Sequence, residues 1–229
     1  MDVVYPLKAA GDGLYHELKY SLRSLSNLDH GKVFIVGGRP QWVTNVHFLE
    51  KPQLATKYAD AGAAIKLACE TSEVSDPFIL MNDDFFVMER LDKVPELNRG
   101  RVRDVMQVYR DRFGESSYLT GMQNTLKQLE FWGYEDPLSF ELHVPIVVHK
   151  RIWLKAREMK VHVPTWHIRT AYGALAMMRG ETIKDVKVLA RHHPLPDGPF
   201  VSTSDETFRY GTAGRLLRRR FPDPSPYEK

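Results

Sequence analysis

The sequence predicts an α/β protein with a mixed, largely parallel sheet flanked by helices and a mostly helical second half. Two features predict this class. Up to residue 81, short apolar runs typical of buried strands alternate with longer segments of helical periodicity, as in α/β folds. Beyond that point, segments with helical periodicity predominate. We expect a single domain over residues 1–229, with residues 1–95 as the α/β half and residues 96–229 as the helical half.

In the first half, strands and helices are predicted to alternate. The strands are predicted over Asp2–Leu7, Lys32–Val36, Val43–Leu49 and Pro77–Met81, and the helices over Leu14–Leu28 and Lys57–Ser72. Leucines at three- and four-residue steps mark the first helix, and an alanine-rich composition marks the second. β-Branched and aromatic residues mark the second strand, which Gly37 and Gly38 stop.

The second half is predicted to consist mainly of helices. These are expected over Val102–Phe113, Ser117–Trp132, His149–Met159, Thr170–Met178 and Asp205–Arg220. Extended stretches are predicted over Leu142–Val148 and Lys187–Ala190. The prolines at 222, 224 and 226 are expected to end the last helix, because proline cannot continue it.

The composition excludes several classes of protein. With 43% hydrophobic and 27% charged residues, the chain is neither disordered nor an integral membrane protein by composition. Cys69 is the single cysteine, so no intramolecular disulfide can form. We see no signal-peptide pattern and no apolar stretch of the roughly 18–20 residues that a membrane span needs, so a cytoplasmic location is expected. A net charge of +3 does not by itself imply a nucleic-acid partner.

Asn82, Asp83 and Asp84 directly follow the apolar run Phe78–Met81. In an open α/β sheet, ligands bind at the carboxyl ends of the strands. Two adjacent carboxylates in a partly desolvated place repel each other unless a cation compensates them, and Mg²⁺ commonly uses one or two carboxylates plus phosphate oxygens. The alternative is a strand-end turn, where Asn and Asp are favoured for local hydrogen bonds. The apolar Phe85–Val87 directly afterwards favours a binding site.

Several ordered motifs resemble one family. Residues 78–86, Phe-Ile-Leu-Met-Asn-Asp-Asp-Phe-Phe, resemble the metal motif of the Stealth proteins, which are bacterial capsular polysaccharide hexose-1-phosphate transferases. Their animal relative is the lysosomal-enzyme N-acetylglucosamine-1-phosphotransferase. The other similar segments are Asp2–Tyr5, Glu17–Ser24, Val33–Val36 with Pro40–Trp42, His143–Pro145, Arg169, Phe200–Asp205 and Phe221–Glu228. Such an ordered series over the whole chain is hard to produce by chance.

The resemblance implies a glycosyltransferase A-like, Rossmann-like fold that binds a nucleotide-diphospho-sugar donor. It further implies Mg²⁺ or Mn²⁺ held by Asp83 and Asp84, and transfer of a sugar-1-phosphate to a hydroxyl of an acceptor such as a glycan. Residues 1–95 would then bind donor and metal, and residues 96–229 would form the acceptor side. The implied catalytic residues are Asp84, His143, Arg169 and Asp205, and the implied donor-binding residues are Tyr5, Glu17, Arg23, Lys66, Asn82 and Asp83.

The chemistry of these side chains suits the implied roles. An unperturbed histidine pKa of about 6.5 allows His143 to act as a general base or as a donor to phosphate. The guanidinium of Arg169 can pair bidentately with a phosphate. His143 or Asp205 would activate the acceptor hydroxyl.

Two departures from the family pattern leave alternatives open. Lys66 stands where the family carries a glutamate, and Ser204 stands where it carries an asparagine. One alternative is therefore a glycosyltransferase that attacks the anomeric carbon, with a modified DNA base as a possible acceptor. Another is a nucleotide-sugar-binding module that has lost catalysis.

Arginines crowd near the C-terminus, at positions 215, 218, 219 and 220. The ordinary interpretation is a solvated helix face. The alternative is a basic strip that binds the phosphates of an acceptor such as DNA, or a polyanionic glycan.

Overall fold

The computed structural model describes residues 1–9, 15–159 and 165–229, which group into two compact units. The first unit consists of Met1–Val94, His143–Lys150 and Val186–Lys229. The second unit consists of Pro95–Leu142 and Arg151–Asp185. The organisation as a single domain stays a prediction.

The strands and helices are numbered here in chain order. The strands are β1 (Asp2–Leu7), β2 (Val33–Gly37), β3 (His47–Leu49), β4 (Phe78–Leu80), β5 (Phe85–Val87), β6 (Leu97–Asn98), β7 (Ile146–Val148), β8 (Glu181–Thr182), β9 (Lys187–Val188) and β10 (Phe200–Thr203). The helices are α1 (His16–Ser24), α2 (Lys57–Glu70), α3 (Val102–Phe113), α4 (Ser117–Phe131), α5 (Lys150–Glu158), α6 (Ile168–Leu175), α7 (Asp205–Tyr210) and α8 (Thr212–Arg220). A short 3₁₀ turn over Leu25–Asn27 continues α1.

The main sheet of the first unit has the strand order β3-β2-β1-β4-β7. Neighbouring strands run parallel from β3 to β4, and only the edge strand β7 is antiparallel. The β1, β2 and β4 strands are almost entirely buried, which explains their continuous apolar sequences. The prediction of a mixed α/β fold is confirmed. The strand order reverses between β1 and β4, and such a switch point is where open α/β sheets bind ligands.

A second, three-stranded sheet in the same unit has the order β5-β10-β9. Here β10 runs antiparallel to β5 and parallel to β9. Its core contains Phe86, Val201, Phe208 and Leu217, so α7 and α8 bury their apolar sides together with this sheet. The sequence analysis did not predict β5 or β10. Both are short and lack the alternating pattern of a half-buried strand.

The prediction of one helix over Asp205–Arg220 is wrong, because the segment forms α7 and α8. Gly211 separates them in an extended conformation, with φ −95° and ψ 172°. A Cβ on Gly211 would lie 2.5 Å from the carbonyl oxygen of Thr207, and one on Gly214 would lie 1.7 Å from that of Phe208. The two helices can therefore turn against each other only because both positions are glycine.

In the second unit, α3 and α4 share a core of Val105, Leu119 and Met122. His167 lies over Gly121 of α4, where a Cβ would come 2.7 Å from its Nε2. The backbone N–H of His167 also donates to Thr125 Oγ1 at 2.9 Å. His167 is thus a packed residue of this unit.

Most other predicted elements agree with the structure to within one to three residues at their ends. The β3 strand begins only at His47, four residues after its predicted start, and β6 and β8 were not predicted. Leu14, the predicted first residue of α1, lies outside the described residues. Within residues 1–9, 15–159 and 165–229, no helix combines the length and apolar character that crossing a lipid bilayer requires.

Candidate functional site

The Asn82-Asp83-Asp84 segment connects the two sheets of the first unit. It begins two residues after β4, at the strand-order reversal beside β1, and ends directly before β5. The Phe85 N–H donates to the Asn82 carbonyl at 3.1 Å, so the segment does form a turn. The side chain of Asp84, however, binds residues far away in sequence, which a simple turn does not require.

Asp84 is held by two side chains from the second sheet. Lys187 Nζ donates to Asp84 Oδ2 at 2.8 Å, and Ser202 Oγ donates to the same oxygen at 3.0 Å. Ser202 and Lys187 are direct partners in the parallel pairing of β10 with β9, so both donors come from one rigid ladder. The Thr203 N–H also donates to the Asp84 carbonyl at 3.3 Å.

Glu17 lies in the first turn of α1 and joins this cluster. Thr203 Oγ1 donates to Glu17 Oε1 at 2.5 Å. Burial raises the pKa of Glu17 to about 8 against the effect of the Thr203 hydrogen bond, and the negative charges of Asp84 and Asp83 raise it further. Glu17 thus lies beside the acidic segment, and its role in donor binding stays a prediction.

Asp83 carries a carboxylate whose charge is poorly compensated. Burial, followed by the negative charge of Asp84, raises the pKa of Asp83 to about 6. Lys187 and Lys57 oppose this rise. A cation bound beside Asp83 would offset the remaining free-energy cost of keeping its carboxylate charged.

This donor set fits an open half-site for a hard divalent cation. Mg²⁺ is usually bound by one or two carboxylates, with water and substrate phosphates completing the shell. Asp83 is undercompensated, and the described residues contact the Asp84 carboxylate at Oδ2, which leaves Oδ1 for a ligand. In the described part of the chain, no three side chains of His, Cys, Asp or Glu are arranged to hold a metal ion. A metal at Asp83 and Asp84 would take its other ligands from water and from substrate phosphates.

His143 lies at the same edge of the sheet. It comes three residues before β7, whose first residue, Ile146, pairs with the last residue of β4, Leu80. Its ring meets the ring of Phe85 edge-on, with centroids 6.4 Å apart. The structure thus brings His143 to the neighbourhood of the acidic segment.

Ser204 and Asp205 follow β10 directly and begin α7. Ser204 is the N-cap, with its hydroxyl accepting from the Thr207 N–H at 3.3 Å. Serine is among the residues that cap helices well. Asp205 is exposed and pairs with Arg209 at 2.7 Å.

Tyr5 and Arg23, two of the predicted donor-binding residues, make contacts with other residues of the first unit. Tyr5 is fully buried, and its hydroxyl lies 3.0 Å from Ser21 Oγ. Ser21 in turn donates to the Phe85 carbonyl at 2.6 Å. Burial also raises the pKa of Tyr5, so the hydroxyl stays protonated. Through Ser21, Tyr5 supports the strand that follows Asp84, and its role in donor binding stays a prediction.

Arg23 is engaged with the C-terminal segment. Its Nε and Nη2 donate to the two carboxylate oxygens of Glu228 at 2.7 and 2.8 Å. Its Nη1 donates to the carbonyls of Phe221 and Pro222 at 3.0 and 2.8 Å. These contacts attach the C-terminal segment to α1, and the role of Arg23 in donor binding stays a prediction.

The remaining predicted residues are less informative. Lys66 lies on a half-exposed face of α2 and pairs with Glu70 at 2.6 Å. Arg169 belongs to the second unit, in the first turn of α6, and its role stays a prediction. Asn82 contributes its carbonyl to the turn before β5.

The sequence analysis missed Lys187, Ser202 and Thr203 as site residues. Ser202 and Thr203 lie inside the Phe200–Asp205 motif, in which the resemblance implies a catalytic role only for Asp205. Lys187 carries no sequence signal, because only the β9–β10 register places it beside Asp84.

Comparisons with known proteins add little. No protein-family model and no curated protein matches the chain. Two solved structures of glycosyltransferase GlyE from Streptococcus pneumoniae TIGR4 are similar to it, with TM-scores of 0.37 and 0.36 and identities of 10% and 8%. They cover 97% and 80% of this chain, which spans only 51% and 44% of theirs. A likeness this weak carries no argument, so the fold class rests on the strand order and pairing described above.

Proposed function

We propose that this chain is a metal-dependent transferase that uses a nucleotide-diphospho-sugar donor and transfers a sugar-1-phosphate to an acceptor hydroxyl. The observation that carries the proposal is the position of Asp83 and Asp84 at the switch point between β1 and β4. Undercompensated carboxylates at this place suit a divalent cation that shares a diphosphate. The ordered motifs shared with the Stealth proteins support the same chemistry.

The side chains of the first unit would divide the work as follows. Asp83 and Asp84 Oδ1 would hold Mg²⁺ or Mn²⁺ against the donor diphosphate. The ion would supply charge stabilisation to the leaving phosphate. Thr203 holds Glu17 at the border of the site, and Lys187 and Ser202 fix the orientation of Asp84. His143 or Asp205 would accept the proton of the acceptor hydroxyl. Arg169 belongs to the second unit, and its binding of a phosphate stays a prediction from the resemblance.

Attack at the anomeric carbon is the second candidate reaction. Lys66 favours this reaction, because a positive charge stands where the Stealth proteins carry a carboxylate. The Lys66 ammonium pairs with Glu70 at 2.6 Å. Incubation with labelled donor separates the two reactions. Release of nucleoside monophosphate indicates sugar-phosphate transfer, whereas release of nucleoside diphosphate indicates glycosyl transfer.

The acceptor is either a glycan hydroxyl or a modified base in DNA. Arg215, Arg219 and Arg220 of α8 are exposed and suit a polyanion. Competition by duplex DNA in the transfer assay, measured at low and at high salt, tests the DNA alternative.

The first experiment is a thermal-shift screen with nucleotide-sugars and Mn²⁺, because a ligand that binds only the native state raises the unfolding midpoint. Asp84→Ala should remove the metal-dependent shift and leave the fold intact. Asp29→Ala is the matched control, because it removes an exposed carboxylate that pairs with Arg90. Unchanged donor affinity in Asp84→Ala would show that the metal assignment is wrong. Binding without turnover by the unsubstituted protein would favour the inactive module.

A further inference from the structure

The contacts of Asp84 are asymmetric. Lys187 and Ser202 both bind Oδ2, at 2.8 and 3.0 Å, and the described residues leave Oδ1 for another ligand. Ser202 is fully buried, and the two donors are register partners in neighbouring strands. The carboxylate is therefore fixed in one orientation by the backbone ladder of the second sheet.

Lys187 also changes the charge of the site. Its side chain is 21% exposed and that of Asp84 is 14% exposed, so solvent screens this pair less than it screens surface pairs. Asp83 and Asp84 together carry a charge of −2 when ionised, and the ammonium reduces it to −1. A divalent cation arriving alone thus meets both a weakened negative charge and a repelling ammonium close by.

We propose that Lys187 is a positioning residue that makes metal binding depend on the donor. It orients Asp84 so that Oδ1 faces the ligand, and its charge keeps the affinity for a free divalent cation low. A bound diphosphate adds the negative charge and the oxygen ligands that the pair of aspartates lacks, and the cation then binds firmly. This inference rests on the proposed function, because it requires the metal to bind at Asp83 and Asp84.

The test measures Mn²⁺ binding in the absence of any nucleotide, by electron paramagnetic resonance of the free ion. Lys187→Met removes the charge while keeping a similar length, and it should bind Mn²⁺ at least about tenfold more tightly than the unsubstituted protein. Lys187→Arg keeps the charge and should bind Mn²⁺ as weakly as the unsubstituted protein. Lys187→Gln serves as a second neutral variant, which still offers Oδ2 a donor and should show the same gain as Lys187→Met.

A second arm tests the dependence on the donor. In a thermal-shift assay, Mn²⁺ alone should stabilise Lys187→Met but not the unsubstituted protein. Mn²⁺ together with ADP, CDP, GDP or UDP, tried separately, should stabilise both proteins with at least one of these nucleotides.

The outcomes distinguish this inference from the proposed function. If the unsubstituted protein binds Mn²⁺ with a nucleotide but neither neutral variant gains affinity for Mn²⁺ alone, the role of Lys187 is wrong and the proposed function stands. If Asp83→Asn fails to remove the gain in the Lys187→Met background, the ion binds elsewhere and both are wrong. Absence of Mn²⁺ binding in every variant, with and without nucleotide, also overturns both.

Discussion

Replacing Asp83 by asparagine should make the protein more stable at neutral pH. Burial and Asp84 raise the pKa of Asp83 from 3.8 to about 6. The folded state therefore binds this proton more tightly than the unfolded state, and the stability contributed by this group falls as pH rises from about 4 through 6. Asparagine removes the charge, so the variant should avoid that loss.

The size of the gain follows from the pKa difference. A rise from 3.8 to about 6 is about 2.2 units, or about 3 kcal/mol at about 1.36 kcal/mol per unit. Asp83 is only partly buried by surface area, and solvent screening reduces this value to about 1–2 kcal/mol. The gain should be complete above pH 7 and close to zero near pH 4.

Asp84→Asn is the matched control, since it changes the neighbouring residue in the same way. Asp84 already has Lys187 and Ser202 as partners, so its replacement leaves a half-buried ammonium without its carboxylate. This variant should lose about 1–3 kcal/mol at pH 7. Urea denaturation without divalent cations, followed by circular dichroism from pH 4 to pH 8, gives the free energy of unfolding of each protein.

The essential result is that the two substitutions change the free energy of unfolding in opposite directions at pH 7, with Asp83→Asn raising it and Asp84→Asn lowering it. If Asp83→Asn is no more stable than the unsubstituted protein at pH 7, its charge is already compensated. If the gain is the same at pH 4 and pH 8, it does not come from titration of Asp83. Either result would refute the description of Asp83 as an undercompensated carboxylate.

Three further substitutions test the structural contacts. Although burial opposes it, hydrogen bonds from Arg23, Ser225 and Lys19 lower the pKa of Glu228 to about 2. Glu228→Gln should therefore cost about 1–2 kcal/mol at pH 7, after a discount for screening, and the difference should disappear as pH falls from about 4.5 toward 2. A pH-independent difference in urea denaturation would contradict this. Gly214→Ala should destabilise by more than about 2 kcal/mol, because its Cβ would lie 1.7 Å from the Phe208 carbonyl oxygen. An unchanged midpoint in thermal unfolding would refute the steric argument. Ser21→Ala should cost about 1–3 kcal/mol, because it deprives the buried Tyr5 hydroxyl and the Phe85 carbonyl of a partner, and an unchanged unfolding free energy would exclude that role.

The α/β half could be predicted because its local patterns and its tertiary environment agree. The β1, β2 and β4 strands are buried in the middle of a parallel sheet, so their sequences are continuously apolar and easily recognised. By contrast, β6 and β8 are two-residue strands defined by pairing with each other. The break between α7 and α8 at Gly211 was not predicted, because the sequence on both sides of it has helical periodicity.

The site could be predicted only where it coincides with a strand end or a motif. Asp83 and Asp84 lie three and four residues after the end of β4, and Glu17 and His143 lie in the motifs described above. Lys187 is 103 residues from its partner Asp84, and no local pattern encodes that pairing. Tyr5 and Arg23 also lie in such motifs, but their hydrogen bonds described above are with residues of the fold, and their role in donor binding stays a prediction.

The discontinuity of the first unit has a consequence for synthesis of the chain. Residues 95–142 and 151–185 are synthesised before Lys187, Ser202 and Thr203. Lys187 follows Asp84 by 103 residues, so at about 5–20 residues per second it is synthesised roughly 5–20 seconds after Asp84. During that interval the two aspartates emerge without the ladder that orients one of them. The acidic segment is therefore among the last parts of the protein to acquire its native surroundings.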